Sequence, residues 1–227
     1  MLIALPNMDQ SFTCTLFFPM TGLTSFATVQ KEDDIIRLFQ NQFPDAYDLM
    51  PTLVKDFQTN PTGHLGTVYC DPWHYEDKAI LLGDAAHAVV PFFGQGMNAS
   101  FQDCSVLNKL IVKYDGDWKD IFSGFTKSHV MNGHAIADMA IENYIEMRDL
   151  VNDPSYKKRR ELELLLEDKF TDRFIPRYSM VSFHQFPYAE VYRRGEIQFK
   201  LMNRYLSNEL TETQLHEHIK KQLTPIR

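Results

Sequence analysis

The first 75 residues carry two different patterns of apolar and polar positions. Strict alternation at the start predicts two antiparallel strands joined by a turn-rich connection. Apolar residues at helical spacing then predict two helices, and a short apolar run predicts one more strand. The predicted strands are 1–5, 11–18 and 65–69, and the predicted helices are 32–43 and 45–57, the second interrupted by Pro51.

The middle of the chain predicts a strand, a loop and a helix in succession. A short apolar run, 79–82, ends at Gly83 and Asp84, and a loop with glycine and proline follows. An apolar stripe then predicts a helix over 96–114 that packs on a sheet. The stripe consists of Met97, Phe101, Cys104, Leu107, Leu110 and Ile111.

The rest of the chain is predicted to be mostly helical, because apolar residues recur at helical spacing between prolines. The predicted helices are 118–131, 133–151, 155–170, 188–206 and 212–223. The predicted fold class is therefore α/β, with an α+β character within this chain.

Composition and charge exclude several classes of protein. The net charge of −7 and a pI near 5.6 argue against a nucleic-acid binder, which would need a basic face. The basic run 157–160 is followed by acidic residues at helical spacing, which predicts a solvated helix face. No signal peptide is expected from the pattern at the start of this sequence, and no run approaches the roughly 18 apolar residues of a membrane-spanning helix.

Cysteine and histidine spacings indicate neither disulfides nor a metal site. The three cysteines show no pairing pattern, and Cys14 and Cys104 lie among apolar neighbours, so buried reduced thiols are expected. No histidine has metal-ligand spacing with cysteine or carboxylate partners, so we predict no metal. His87, alone after a strand, is expected to be structural rather than catalytic.

The segment 79–104 has the features of a cofactor loop. Glycines let the backbone approach a ligand closely, and a helix N-terminus presents unpaired N–H groups and partial positive charge. The Asp84 carboxylate can accept hydrogen bonds from sugar-like hydroxyls. Together these groups suit a cofactor that carries a polyol and an electron-rich ring edge.

Asn143 is the most informative polar residue of the helical region. It shares an apolar helix face with Ile136, Met139 and Met147. An unpaired buried amide is costly, so Asn143 must have a partner, either across to another helix or in a ligand.

The cofactor loop also resembles a known family. Gly-Asp-Ala-Ala-His at 83–87, with Pro91 and Gly-Gln-Gly-Met-Asn at 94–98, is similar to the second FAD-binding motif of the aromatic-ring flavoprotein monooxygenases. Four strings in order resemble one branch of it, the kynurenine 3-monooxygenases. They are 1–8 with 11–17, then 91–99, 143–148 and 174–183.

The resemblance implies FAD and NADPH as cofactors and O2 as co-substrate, with L-kynurenine hydroxylated at ring position 3 in tryptophan degradation. No side chain is assigned to acid–base catalysis. The implied FAD contacts are Asp84, Pro91, Gly94, Gln95, Gly96, Met97 and Asn98. The implied substrate contacts are Asn143, Tyr178, Phe92, Phe17, Met1, Ile3, Leu5, Glu146 and Met147.

The family's Gly-x-Gly-x-x-Gly turn does not occur among the ten glycines of the chain. The chain is therefore expected to be the C-terminal half of a longer enzyme, and the Arg and Tyr that bind the substrate carboxylate are expected upstream. The expected regions are part of a substrate-binding β-sheet domain (1–75), the C-terminal part of the FAD-binding domain (76–115) and a helical region (116–227).

Several alternatives stay open at this point. The resemblance also allows a related aromatic hydroxylase with another substrate, or a non-catalytic half that binds neither FAD nor substrate. Eukaryotic members carry a C-terminal segment for the mitochondrial outer membrane, which does not appear in this sequence. The oligomeric state is not predicted.

Overall fold

The computed structural model describes residues 1–151 and 153–226, which form two compact units that meet in sequence at His64 and Leu65. Each unit has a hydrophobic core of its own and is described by itself. The division into three regions stays a prediction.

The first unit is a β-hairpin with three short helices. Its strands pair antiparallel with Leu2 opposite Leu16, and both side chains pack on a core built around Ile35 and Phe39. The alternation therefore places Ile3 and Leu5 on the other face of the hairpin. The elements are β1 (Leu2–Pro6), β2 (Phe12–Leu16), α1 (Glu32–Gln42), α2 (Pro44–Tyr47) and α3 (Leu53–Thr59). The predicted hairpin and helices are confirmed, including the interruption at Pro51.

The second unit begins with little regular structure. The strand predicted at 65–69 is wrong: this segment is irregular, and Val68 N–H donates to the Ala88 carbonyl at 2.9 Å. An apolar run becomes a strand only where another strand pairs with it. The unit's described strands are β3 (His74–Tyr75) and β4 (Ala79–Ile80), an antiparallel pair.

Helices make up the rest of the second unit. They are α4 (Asp84–His87), α5 (Gly96–Lys113), α6 (Trp118–Ile145), α7 (Pro154–Lys169), α8 (Arg177–Phe183), α9 (Tyr188–Leu206) and α10 (Glu212–Gln222). A 3-10 turn, Pro91–Phe93, precedes α5, and a π-helical turn, Glu146–Leu150, continues α6. The predicted break between 131 and 133 is wrong, because Gly133 lies inside one continuous helix. The short helix α8 was not predicted.

Two of the apolar clusters in this unit hold α6 to α10 together. One joins α6, α8 and α9 through Ile136, Met139, Met180 and Val191, all fully buried. The other joins α7, α9 and α10 around Phe174. The helical region is therefore a packed body that can hold loops in place, and the predicted helical character of this part is confirmed.

The apolar stripe predicted for α5 is wrong in its first half, whereas Leu107 and Leu110 of its second half pack against buried core residues as predicted. Met97 and Phe101 are 69% and 63% exposed, and Cys104 is exposed, whereas Ala99 and Asp103 are buried. In the described part of this unit, the strands are two residues long and provide no sheet to cover the predicted stripe. Exposure of Cys104 also contradicts the expectation of buried thiols.

Cys14 is likewise exposed, and all three cysteines are free thiols. Among residues 1–151 and 153–226, every helix is too short or too polar to span a bilayer.

Candidate functional site

The turn at 83–87, called the Asp84 turn from here on, presents Asp84 next to the first turns of α5. Gly83 has φ +56°, and its carbonyl accepts from the N–H groups of Ala86 and His87 at 2.9 Å each. A Cβ at Gly83 would lie 3.0 Å from Oγ of Ser100, so the turn sits tightly on α5. Asp84 begins α4 and is exposed. The sequence placed Asp84 at a strand end, but the strand stops four residues earlier at Ile80.

The loop at 91–98, called the cofactor loop from here on, leaves the N-terminus of α5 open. Gly94 has φ +65°, a left-handed conformation that favours glycine, and α5 begins at Gly96 with no side chain capping its first turn. Pro91, Met97 and Asn98 are exposed. The N–H groups of the first turn are therefore available to an electron-rich ligand atom.

Side chains inside the protein hold this loop. Gln95 is buried, and its Oε1 accepts from the Tyr188 hydroxyl of α9 and from Nδ2 of Asn98, both at 3.1 Å. Burial, with Asp103 adding to it, raises the pKa of Tyr188, so its hydroxyl stays protonated and can donate. Because the Gln95 and Asn98 side chains are used in this way, the loop offers a ligand mainly its backbone groups.

Asn143 fixes the other end of the loop. Its Nδ2 donates to the Phe92 carbonyl at 2.8 Å, so its partner is a loop backbone group rather than another helix. The Phe92 ring is buried and stacks on Tyr144 with a centroid distance of 4.5 Å. Phe93 stacks on Tyr178 at 5.5 Å. The loop is thereby attached to both α6 and α8.

A cavity of about 100 Å³ lies between the loop and helices α6 to α9. It brings together three of the residues implied as substrate contacts. Its lining consists of Phe93, Asn143, Glu146, Tyr156, Arg159, Arg160, Glu163, Arg177, Tyr178, Gly195, Gln198, Phe199 and Met202. Phe92 and Met147, two other implied substrate contacts, are not part of this lining. Phe93 takes the place expected for Phe92, and Met147 is 37% exposed in the π-helical turn.

One wall of the cavity is charged, and sequence reasoning missed it. Arg160 pairs with Glu163, and the Arg159 guanidinium lies 4.8 Å from the Phe199 ring centroid. Burial raises the pKa of the Glu163 carboxyl, and the positive charge of Arg160 opposes this rise. Burial also raises the pKa of Tyr156, with Glu146 adding to the shift. The wall therefore presents groups of both signs in a partly desolvated setting.

The signal for this wall was present but was interpreted differently. The basic run was expected to be a solvated face, yet only Lys157 and Lys158 are exposed, while Arg159 and Arg160 are half-buried. Tyr156 and Glu163 fall on the same helix face as the two arginines, at spacings of three, four and seven residues. An aromatic residue within a charged run would have been the clue.

The remaining implied substrate contacts lie in the first unit. Met1 and Phe17 exchange backbone hydrogen bonds at 3.0 and 2.9 Å beside the hairpin. Ile3 is half-buried and Leu5 is 60% exposed. Their grouping with the cavity stays a prediction. In the residues that the structure describes, no cluster of three or more histidine, cysteine or carboxylate side chains could hold a metal.

Comparison with known proteins identifies the relatives of the chain. Residues 30–120 match the family model described as FAD binding domain, which includes Asp84 and the whole loop. Kynurenine 3-monooxygenase of Flavobacterium johnsoniae is 45% identical over 206 residues, which is 91% of this chain and 46% of the relative. The chain is related to the kynurenine 3-monooxygenases.

Other relatives with the same name agree. The Myxococcus xanthus protein is 48% identical over 197 residues, 87% of this chain and 42% of its own length. The Dictyostelium discoideum protein is 43% identical over 224 residues, 93% of this chain and 48% of its own length. The chain thus spans about half the length of the curated kynurenine 3-monooxygenases it matches.

Proposed function

We propose that this chain is part of an FAD-dependent monooxygenase that hydroxylates L-kynurenine to 3-hydroxy-L-kynurenine with NADPH and O2. The observation that carries the proposal is the convergence of Asn143, Glu146 and Tyr178 on one cavity beside Phe93 of the cofactor loop. Relatedness to proteins named kynurenine 3-monooxygenase supports the substrate and the reaction.

The residues of the loop fit FAD. The exposed Asp84 carboxylate is acceptor-only and suits the hydroxyls of a polyol chain. The uncapped N-terminus of α5 offers N–H groups and a positive dipole end, which suit the electron-rich edge of a flavin ring. The match to the FAD binding domain family over 30–120 supports the same assignment.

The cavity suits part of the kynurenine molecule. Pockets for drug-sized ligands measure about 300–1,000 Å³, and this cavity is smaller, at about 100 Å³. Its lining carries charges of both signs from Glu146 and from Arg177, whose guanidinium pairs with Glu142. Phe93, stacked on Tyr178, provides an apolar wall for the ring and excludes water.

The protein's part in the reaction is to position and to shield. The oxidation chemistry would be supplied by bound FAD after its reduction by NADPH and the uptake of O2. The hydrogen bond from Asn143 to the Phe92 carbonyl keeps the loop against the cavity, so the substrate ring and the cofactor would be held in a fixed relation.

Titration of the purified 227-residue chain with FAD tests the cofactor site. Flavin absorbance and fluorescence should show saturable binding at one FAD per chain. Asp84→Ala should weaken this binding about 10-fold or more, as expected for the loss of a hydrogen bond to a charged group. Asp168→Ala, which removes another exposed carboxylate of the same unit, should not. A folded chain that does not bind FAD, or equal effects of the two variants, would refute the proposal for this chain.

Kynurenine binding to the FAD-loaded chain tests the substrate site. Tyr178→Phe should weaken kynurenine binding about 10-fold and leave FAD binding intact, because the ring that stacks on Phe93 is kept and only the hydroxyl is lost. Tyr75→Phe, at a 65% exposed tyrosine, is the matched control. Equal loss of FAD and kynurenine in Tyr178→Phe would count against the assignment.

A panel of phenolic and anilinic acids, scored by NADPH consumption coupled to hydroxylated product, distinguishes kynurenine from other aromatic substrates. For a eukaryotic source, we infer the cytosolic face of the mitochondrial outer membrane as the location, with the resemblance to the family as the support. Subcellular fractionation of the source tests this location.

A further inference from the structure

A buried carboxylate ties the two ends of the Asp84 turn together. Asp103 lies on α5 and is 2% exposed. Its Oδ2 accepts from the Gly83 N–H at 2.9 Å and lies 2.7 Å from Nε2 of His87, which is also 2% exposed. One oxygen atom therefore holds the first and the last residue of the turn that carries Asp84.

Burial keeps water away from the Asp103 carboxylate and the His87 ring, so water cannot replace the hydrogen bond between them. Trp73, 1% exposed, packs against the His87 ring in a tilted arrangement, at a centroid distance of 5.0 Å. His87 Nδ1 is buried and has no hydrogen-bond partner among the described residues, so Nε2 is the nitrogen that the protein uses. A carboxylate can only accept hydrogen bonds. The Gly83 N–H and the Nε2–H of His87 therefore both donate to the Asp103 carboxylate.

Stability alone does not account for this pair. Replacement of a buried charged group and its partner by well-packed apolar residues is often neutral or even stabilising, because desolvation of the charge is costly. The pair does specify geometry: it selects one register of α5 against the turn, which also passes within contact distance of Ser100. A defined turn matters most at Asp84, the only turn residue that combines a carboxylate with exposure.

We propose that Asp103 is a positioning residue: acting through Gly83 and His87, it fixes the turn so that Asp84 is presented to the polyol chain of the cofactor. The identity of the cofactor rests on the proposed function, whereas the closure of the turn by Asp103 does not. Asp103 touches no ligand itself in this proposal.

The test compares Asp103→Ala, Asp103→Asn and the control Thr126→Val in the full 227-residue chain. Thr126→Val removes a different partly buried hydrogen bond, in which Oγ1 of Thr126 lies 2.7 Å from Nδ1 of His74. Three quantities are measured: hydrogen exchange of the amides of 83–87, the dissociation constant for FAD, and the denaturant midpoint of global unfolding.

Asp103→Ala should raise exchange of the Gly83 amide and weaken FAD binding, each about 10- to 100-fold, the loss expected for a hydrogen bond to a charged group. Asp103→Asn keeps an oxygen that can accept from Gly83, so it should recover part of both effects. Thr126→Val should lower the midpoint without a selective change in the turn.

The proposal is overturned if exchange in the turn is unchanged in both Asp103 variants, or changes only as much as it does in Thr126→Val. If Asp103→Ala does not fold, Asp103→Asn decides, since it is isosteric with aspartate. If the wild-type chain does not bind FAD, the proposed function fails, and the exchange measurement still judges the positioning role by itself.

Discussion

Replacement of Gly133 by alanine should destabilise the second unit, although alanine is the better helix former. A Cβ at this position would lie 2.6 and 2.8 Å from two ring carbons of Trp73 and 3.2 Å from Cβ of His87. The indole cannot retreat easily, because it is 1% exposed, donates from Nε1 to the Cys70 carbonyl at 2.8 Å, and packs against Phe125.

The expected magnitude follows from two opposing terms. Alanine is favoured over glycine in a helix interior by up to about 1 kcal/mol. Overpacking of a core by one methyl group costs about 1–3 kcal/mol, and the contacts below 3.0 Å with a rigid ring place this site at the upper end of that range. The net loss of unfolding free energy should be about 1–2 kcal/mol.

Gly124 on the same helix is the matched control. A Cβ there would meet its nearest atom, Cε2 of Tyr114, at 3.4 Å, an ordinary contact. Gly124→Ala should therefore stabilise the chain by about 0.5–1 kcal/mol through helix propensity alone.

Urea denaturation followed by circular dichroism measures the difference between the two variants, which should reach about 1.5–3 kcal/mol with opposite signs about the wild type. If Gly133→Ala were as stable as Gly124→Ala, Trp73 would have to move freely, and the close packing of α6 on the Asp84 turn would be refuted.

Two further predictions concern α7 and α10. Burial raises the pKa of Glu163 in the folded state, so ionisation of this carboxyl disfavours the folded form. The stability of the wild type relative to Glu163→Gln should therefore be highest below pH 4.5, the ordinary pKa of the carboxyl, and should fall as the pH rises through the raised folded pKa. Denaturation of both proteins between pH 4.5 and about pH 8 checks this, and a relative stability that rises with pH would contradict it. Thr211→Ala removes the N-cap of α10 and its reciprocal contact with Gln214, and should cost about 1 kcal/mol in the same assay, whereas Thr224→Ala should leave the α10 cap intact.

Local patterns predicted most of the helices because their causes are local. The helix from Tyr188 to Leu206 was predicted with the observed bounds, since its apolar spacing is regular and Pro187 marks its start. The strand at 65–69 failed because a strand depends on a partner that the pattern of one segment does not show. The first half of the apolar face predicted for α5 was wrong for a similar reason. Met97 and Phe101 look like core residues by spacing, but no described element of this unit covers them.

The residues of the candidate site that belong to sequence motifs could be predicted, whereas those that only packing brings together could not. Asn143 was recognised as an amide that needs a partner, but its partner, the Phe92 carbonyl, lies 51 residues away. The arginines of α7 resemble a solvent-exposed run in sequence, and only the approach of Phe199 turns their face into a cavity wall. Asp103 could not be found from the sequence, because an aspartate that follows Gln102 on a helix resembles an exposed residue until the turn packs on it.

The anchoring of the cofactor loop has a consequence for the order of events during synthesis. The loop at 91–98 is held by Asn143 and by Tyr188, which come 51 residues after Phe92 and 93 residues after Gln95. Contacts so distant in sequence form late, after the entropy of closing long loops has been overcome. On the ribosome, the loop cannot take its final shape until α9 has begun to emerge. The nascent chain would therefore gain its capacity to capture a cofactor only after the residues of α6, α7 and α8 that line the neighbouring cavity have been synthesised.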